Sequence, residues 1–211
     1  LHTAYRRQRQ FCIRDRVTKE INENFGALQY VDGSLKSDKK FILGFAKIDF
    51  YFVSDALKAD KEVVMASARY GGNLKYASKA LKADKEVVMA NPDSLEYASK
   101  SLKADKEVVW AALKESPGNL EYASKALKAD KELVMANPYE FYYASKSPTD
   151  DKEGVMATVK EYAGNLKYAS KALKADKEVV MAAVQGDGSS LKYADDSLKA
   201  DKDIVLMALH T

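Results

Sequence analysis

The sequence predicts an all-α protein, an α-solenoid of about eight short two-helix repeats of 21–25 residues. Three observations predict it. A landmark aspartate recurs as Asp38, Asp60, Asp84, Asp105, Asp130, Asp151, Asp176 and Asp201, spaced 21 to 25 residues apart. Ten residues before each stands an apolar residue, Leu28, Phe50, Leu74, Leu95, Leu120, Phe141, Leu166 or Leu191, and that interval never varies. Apolar residues run in helical phase on both sides of the aspartate, and helix pairs this small bury their faces only by stacking on neighbours.

The first half of each repeat reads as one short helix. Counting from Leu74, the residues Leu74, Ala77, Ala80 and Leu81 fall at offsets 0, 3, 6 and 7, one helical face. Tyr76 borders that face and recurs as Tyr30, Tyr97, Tyr122, Tyr143, Tyr168 and Tyr193, with Phe52 standing in once. Asn119 after Gly118, and Asp93-Ser94 after Pro92, offer N-cap oxygens and a turn.

The second half begins at the aspartate. Asp176 suits an N-cap and Glu178 suits the positive end of the helix dipole, with Val179, Val180, Ala183 and Val184 as the apolar stripe. A single helix from Leu74 to Met89 is the alternative, since no Gly or Pro separates Leu81 from Asp84. It would put every landmark aspartate on the apolar face with no cation at a core position, so two helices are preferred. Repeats that place Asn91-Pro92 or Asn137-Pro138 straight after Met-Ala are four residues shorter, about one helical turn. Met65, Met89, Met135, Met156 and Met181 share one repeat position with Trp110, which reads as packing between repeats. Pro148 and Gly154 replace the usual Leu and Val and mark the weakest repeat.

The charge is unevenly placed. Lys and Arg number 34 and Asp and Glu 31, a net of +3. Residues 1–16 carry five arginines against Asp15, so the remaining 195 residues hold a net of −1. A near-neutral body gives little phosphate affinity, and a nucleic-acid role ranks last. The apolar stretch from Phe41 to Val53 is broken by Lys47 and Asp49, which excludes a spanning helix. The lone Cys12 forms no internal disulfide, and the histidines, His2 and His210, stand at the two ends.

Nothing in this pattern points to catalysis or to a metal or other cofactor. A catalytic carboxylate pair exists once in a chain, whereas these acids recur in every repeat. Ser78-Lys79, Ser99-Lys100, Ser124-Lys125, Ser145-Lys146 and Ser170-Lys171 likewise read as a solvated helix surface rather than a Ser–Lys dyad. Gly186-Asp187-Gly188-Ser189-Ser190 lacks the later carboxylates of a calcium loop.

The alternation of Leu-x-Tyr-Ala-Ser with Leu-Lys-x-Asp-Lys-Glu-Val-Val over residues 28–211 resembles the repeat of domain-of-unknown-function family 4116. The resemblance implies tandem helical repeats of the kind found largely in algae and other microbial eukaryotes, and it implies no activity. Arg6 to Asp15, RRQRQFCIRD, resembles the translated read-through of a transposase sequencing adapter, RRQRQMCIRD, with Phe11 the one mismatch. Residues 1–16 are therefore set apart as a basic segment, and 17–211 are taken as one repeat array.

The expected function is a scaffold or protein-binding module whose partners are other protein subunits. The alternatives are an accessory subunit of a large photosynthetic or respiratory complex and, last, an RNA reader. The chain is placed inside the cell, with a plastid or mitochondrion as the organellar option. The residue after the first-half leucine is charged in Lys75, Glu96, Glu121, Lys167 and Lys192 and should face solvent. Tyr51 and Tyr142 take that place in two repeats, and Tyr139 lies in the turn beside Tyr142. These three are the candidate partner-binding residues.

Overall fold

A computed structural model gives the structure of residues 15–45, 49–68 and 73–211. The basic stretch Arg6 to Arg14, with Cys12 and His2, lies outside the described residues. Every described element is a helix or turn, and no strand occurs among the described residues. The chain divides into two compact units, Leu1–Leu102 and Lys103–Thr211. Repeat positions are counted here from the first-half apolar residue as 0, so the landmark aspartate is position 10.

Each repeat has three short elements rather than two. The first half is not one helix: a 3-10 helix such as Pro117–Tyr122 stops at position 3, and a separate turn, Leu127–Ala129, precedes the aspartate. The break is set by Ala123, held extended at φ −64 and ψ 157. Three residues per turn place positions 0 and 3 on one face, so Leu120 and Ala123 are buried while Glu121 is exposed. Lys75, Glu96, Lys167 and Lys192 are exposed as well, as the sequence predicts. Position 6 leaves the core for the same reason, and Ala80 is exposed.

The serine at position 4 is a cap and not merely a solvated surface residue. The Oγ atoms of Ser78, Ser99, Ser124 and Ser170 each accept the position-7 N–H, from Leu81, Leu102, Leu127 and Leu173, at 3.3 Å. Ser145 cannot do so because Pro148 has no N–H, and its hydroxyl donates to the Lys125 carbonyl instead.

The chain breaks again at the landmark aspartate. Asp84 Oδ1 accepts the Glu86 and Val87 N–H groups at 3.0 and 3.3 Å, and Asp105, Asp176 and Asp201 repeat this geometry. The helix that follows buries a pair at positions 13 and 14. These are Val63-Val64 and Val87-Val88 in the first unit, and Val108-Val109, Leu133-Val134 and Val179-Val180 in the second. Each such side chain contributes about 1.5–3 kcal/mol relative to exposure. Asn-Pro shortens this helix as predicted: Lys85–Met89 and Lys131–Met135 have 5 residues, against 10 in Lys106–Glu115, Lys152–Glu161 and Lys177–Gly186.

Asn119 does not serve as an N-cap oxygen. It is buried inside its 3-10 helix, and its Nδ2 donates to the Ala112 carbonyl in the last turn of the preceding helix at 3.0 Å. Asn165 donates in the same way to Thr158, at 3.3 Å, and also to the Pro138 carbonyl at 2.6 Å.

Two interactions join consecutive repeats, and both recur. The first is a backbone rung, in which the position-4 N–H donates to the position-8 carbonyl of the repeat before. In the first unit Ser54, Ser78 and Ser99 donate to Lys36, Lys58 and Lys82. In the second Ser124, Ser145, Ser170 and Asp195 donate to Lys103, Lys128, Thr149 and Lys174. The second is an ion ladder from the lysine after each aspartate. Lys61 Nζ lies 2.8 Å from Asp84 and 2.6 Å from Glu86 of the next repeat, and Lys39 bridges Asp60 and Glu62. In the second unit Lys106, Lys131 and Lys152 bridge the corresponding Asp-Glu pairs, and Lys177 reaches Asp201. The position-15 methionines and Trp110 are half-buried. Met135 abuts Gly154 of the following repeat, where an added Cβ would stand 2.8 Å from Cε.

Candidate partner-binding surface

Within the second unit the exposed large aromatic side chains pack in pairs across consecutive repeats. Tyr139 and Tyr142 lie on the 3-10 segment Pro138–Tyr143, on either side of a kink at Glu140 (φ −103, ψ 19). They are 64% and 45% exposed. The Tyr142 ring packs on Tyr143 at 4.0 Å and on Tyr168 of the next repeat at 5.8 Å between centroids. Tyr139 packs on Tyr162 at 5.8 Å. Phe141, between them in sequence, is fully buried and anchors the helix that displays them.

Polar groups fix the rings in place. Tyr143 donates its hydroxyl to Glu121 Oε2 at 3.0 Å, and Lys128 Nζ stands 5.9 Å from the Tyr143 ring centroid. Lys167 stands in the same way over Tyr168 and Lys192 over Tyr193. The hydroxyl of Tyr143 and then the carboxylate of Glu140 push the Tyr142 phenol well above its ordinary value, so it stays neutral throughout the working pH range. One oxygen of Glu140, Oε2, is buried without a hydrogen-bond partner.

Of the three residues the sequence singles out, Tyr139 and Tyr142 stand on the same segment and each packs on a ring of the following repeat. Tyr51 belongs to the first unit, where it is 59% exposed and packs on Phe52 and on Tyr76 of the next repeat at 5.0 and 5.7 Å. Lys58 donates to the Tyr51 carbonyl at 2.8 Å and lies over its ring. Sequence reasoning misses Tyr162 and Tyr168, both exposed. The signal for Tyr162 is its place just before a 3-10 helix, where Ser116 and Asp187 stand in other repeats. Tyr168 gives none, because every repeat carries an aromatic there.

The arrangement offers rigid aromatic area edged by lysines. Among the described residues no three His, Cys, Asp or Glu side chains are placed to hold a metal ion. No helix among them is long and apolar enough to cross a membrane. The model of the family described as Domain of unknown function (DUF4116) matches five times in tandem, over residues 60–103, 88–128, 105–147, 151–195 and 176–211. No curated protein and no solved structure matches the chain.

Proposed function

We propose that this chain, which belongs to the DUF4116 family, is a non-catalytic protein-binding module that engages its partner through the tyrosine patch of its second unit. The observation that carries this reading is the presence on consecutive repeats of two pairs of exposed, packed rings, Tyr139 with Tyr162 and Tyr142 with Tyr168. Pre-ordered aromatics bury large areas with little loss of side-chain freedom, which is why they anchor interfaces. The non-catalytic reading rests on the acids. Those at position 10 cap helices and, together with those at position 12, bind the lysine of the preceding repeat, so their recurrence has a structural cause.

A photo-crosslinking side chain placed at Tyr142 in the intact chain tests this in extracts of the source. The expected result is one protein adduct that is absent when the same group replaces Glu115, an exposed residue at the end of a helix. Equal labelling from both positions, or an RNA adduct at Tyr142, would refute it.

A further inference from the structure

The near-neutral total of the chain conceals a separation of charge within the second unit. There the 3-10 helices Pro117–Tyr122, Pro138–Tyr143, Ala163–Tyr168 and Gly188–Tyr193 pack each on the next, and the longer helices pack on one another likewise. Positions 0 to 8 of the repeats that begin at Leu120, Phe141, Leu166 and Leu191 carry eight lysines against three acids. The rest of those repeats, to Thr211, carries five lysines against twelve acids. The two sets of lysines also differ in what they meet. Lys131, Lys152 and Lys177 are taken by acids of the next repeat. Lys125, Lys128, Lys167, Lys171 and Lys174 pair with no carboxylate among the described residues, although Lys199 is held by Asp196. Two of these unpaired lysines bracket a strip of rings. Lys128 lies over Tyr143, Tyr143 packs on Tyr142, Tyr142 packs on Tyr168, and Lys167 lies over Tyr168. Two acids border the strip: Glu121 accepts the Tyr143 hydroxyl, and Glu140 has its Oε2 buried.

We propose that the partner segment seated on Tyr142 and Tyr168 is an acidic polypeptide, whose carboxylates meet Lys128, Lys167 and Lys171 while an apolar side chain lies on the rings between them. This rests on the tyrosine-patch reading and names the chemistry of what the patch holds. Charge complementarity identifies the occupant. The lysines around the strip are the uncompensated charges of the unit, and an incoming carboxylate meets them without breaking an ion pair already made. The rings favour a polypeptide over a nucleic acid. Tyr143 and Tyr168 each carry a lysine over the ring, and Tyr142 packs against both, which leaves little ring face on which bases could stack. The acid-rich helices packed beneath the strip, at about 8–10 Å between axes, lie within a Debye length of the lysines. They offset the lysines at long range, so a long polyanion gains little on approach, whereas a short acidic segment gains from direct contact.

The test is fluorescence anisotropy with the full chain and three labelled probes: a dodecapeptide of glutamates with two central phenylalanines, the same peptide with glutamines for glutamates, and single-stranded oligouridylate. Two double variants remove equal charge from different places. Lys167→Gln with Lys171→Gln acts at the strip, and Lys114→Gln with Lys160→Gln acts on the longer helices, where both lysines are exposed. The expected result is saturable binding of the acidic peptide, tighter than that of either other probe and weakened by salt. The strip double should weaken it about three- to tenfold, and the helix double should leave it unchanged. No binding of the acidic peptide up to ~1 mM, tighter binding of oligouridylate, or equal loss in the two doubles would overturn the proposal. Tyr142→Ala separates it from the patch reading. Weakening by the strip double but not by Tyr142→Ala would uphold the acidic partner and overturn the patch. Equal binding of the glutamine and glutamate peptides, both lost in Tyr142→Ala, would uphold the patch and overturn the acidic partner.

Discussion

Ser190 occupies the place that asparagine takes in two other repeats of the second unit, and the difference has a measurable cost. Asn119 and Asn165 donate their side-chain amides to carbonyls seven residues earlier, Ala112 and Thr158. Serine is too short to make the equivalent reach to Ala183, and the Ser190 Oγ is buried without a partner. Ser190→Asn supplies the missing donor. A net hydrogen bond contributes about 0.5–1.5 kcal/mol, and relieving a buried orphan recovers about 1–3 kcal/mol. Against this stands the crowding of a larger side chain, about 1–3 kcal/mol in a packed core. Crowding is small here, because Ser190 borders a cavity of about 310 Å³ beside Gly164 and Gly186. The balance is a gain of about 1 kcal/mol, which raises Tm by ~2–4 °C for a chain of this size. The mirror change, Asn165→Ser, breaks bonds to Thr158 and Pro138 and should cost about 1–3 kcal/mol. Urea unfolding followed by circular dichroism reads both variants. A destabilised Ser190→Asn, or a neutral Asn165→Ser, would refute the reasoning.

Three further outcomes follow from the packing between repeats. Gly154→Ala should destabilise despite the better helix propensity of alanine, by about 1 kcal/mol or more: an added Cβ would stand under 3 Å from Met135 Cε and from Asp151 Oδ2, which caps the Gly154 N–H and is held by Lys131. A gain in thermal unfolding would contradict this. Amides over 146–156 should exchange before those over 171–181, since Pro148 and Gly154 weaken their repeat, and slower exchange there would contradict it. The ion ladder sets a pH window. The partner lysine holds Asp60, Asp84, Asp151, Asp176 and Asp201 below the ordinary carboxylate value, and the same contacts raise Lys39, Lys61, Lys131, Lys152 and Lys177. The lowered carboxyls stabilise above their unfolded value and lose that contribution as pH falls through the folded one. The raised lysines stabilise fully below their unfolded value and lose it as pH rises through the folded one. Tm should therefore plateau between about pH 5 and 9 and fall at both ends, with the plateau lowered by 1 M salt. A Tm that keeps rising outside that window, or is indifferent to salt, would contradict the ladder.

The repeat period, the break at each aspartate and the shortened Asn-Pro repeats are legible in the sequence because each depends on local chemistry. Asp84 caps whatever helix follows it, and Pro92 ends whatever helix precedes it. The extra break at position 3 is not legible in the same way. Offsets 0, 3, 6 and 7 fit one α-helix as well as a 3-10 turn followed by a second turn, and only the exposure of Ala80 separates them. The serine at position 4 carried the clue, since Asp32 and Asp195 replace it in two repeats and serine and aspartate share only the ability to cap. The lysine bridge was hidden for another reason. Lys106 lies 24 residues from Asp130, and only stacking brings them to 2.9 Å. Tyr139 and Tyr142 stand out as departures from the repeat, whereas Tyr168 joins their patch from a position where every repeat is aromatic.

The central claim is that consecutive repeats are joined by a backbone rung from position 4 to position 8, and residue-resolved amide hydrogen exchange tests it most directly. The N–H groups of Ser54, Ser78, Ser99, Ser124, Ser145, Ser170 and Asp195 are each bonded across a repeat boundary, whereas among the described residues the N–H of the exposed Lys125, next to Ser124, is not. The account predicts slow exchange at the seven and fast exchange at Lys125. Exchange at the seven as fast as at Lys125 would contradict it.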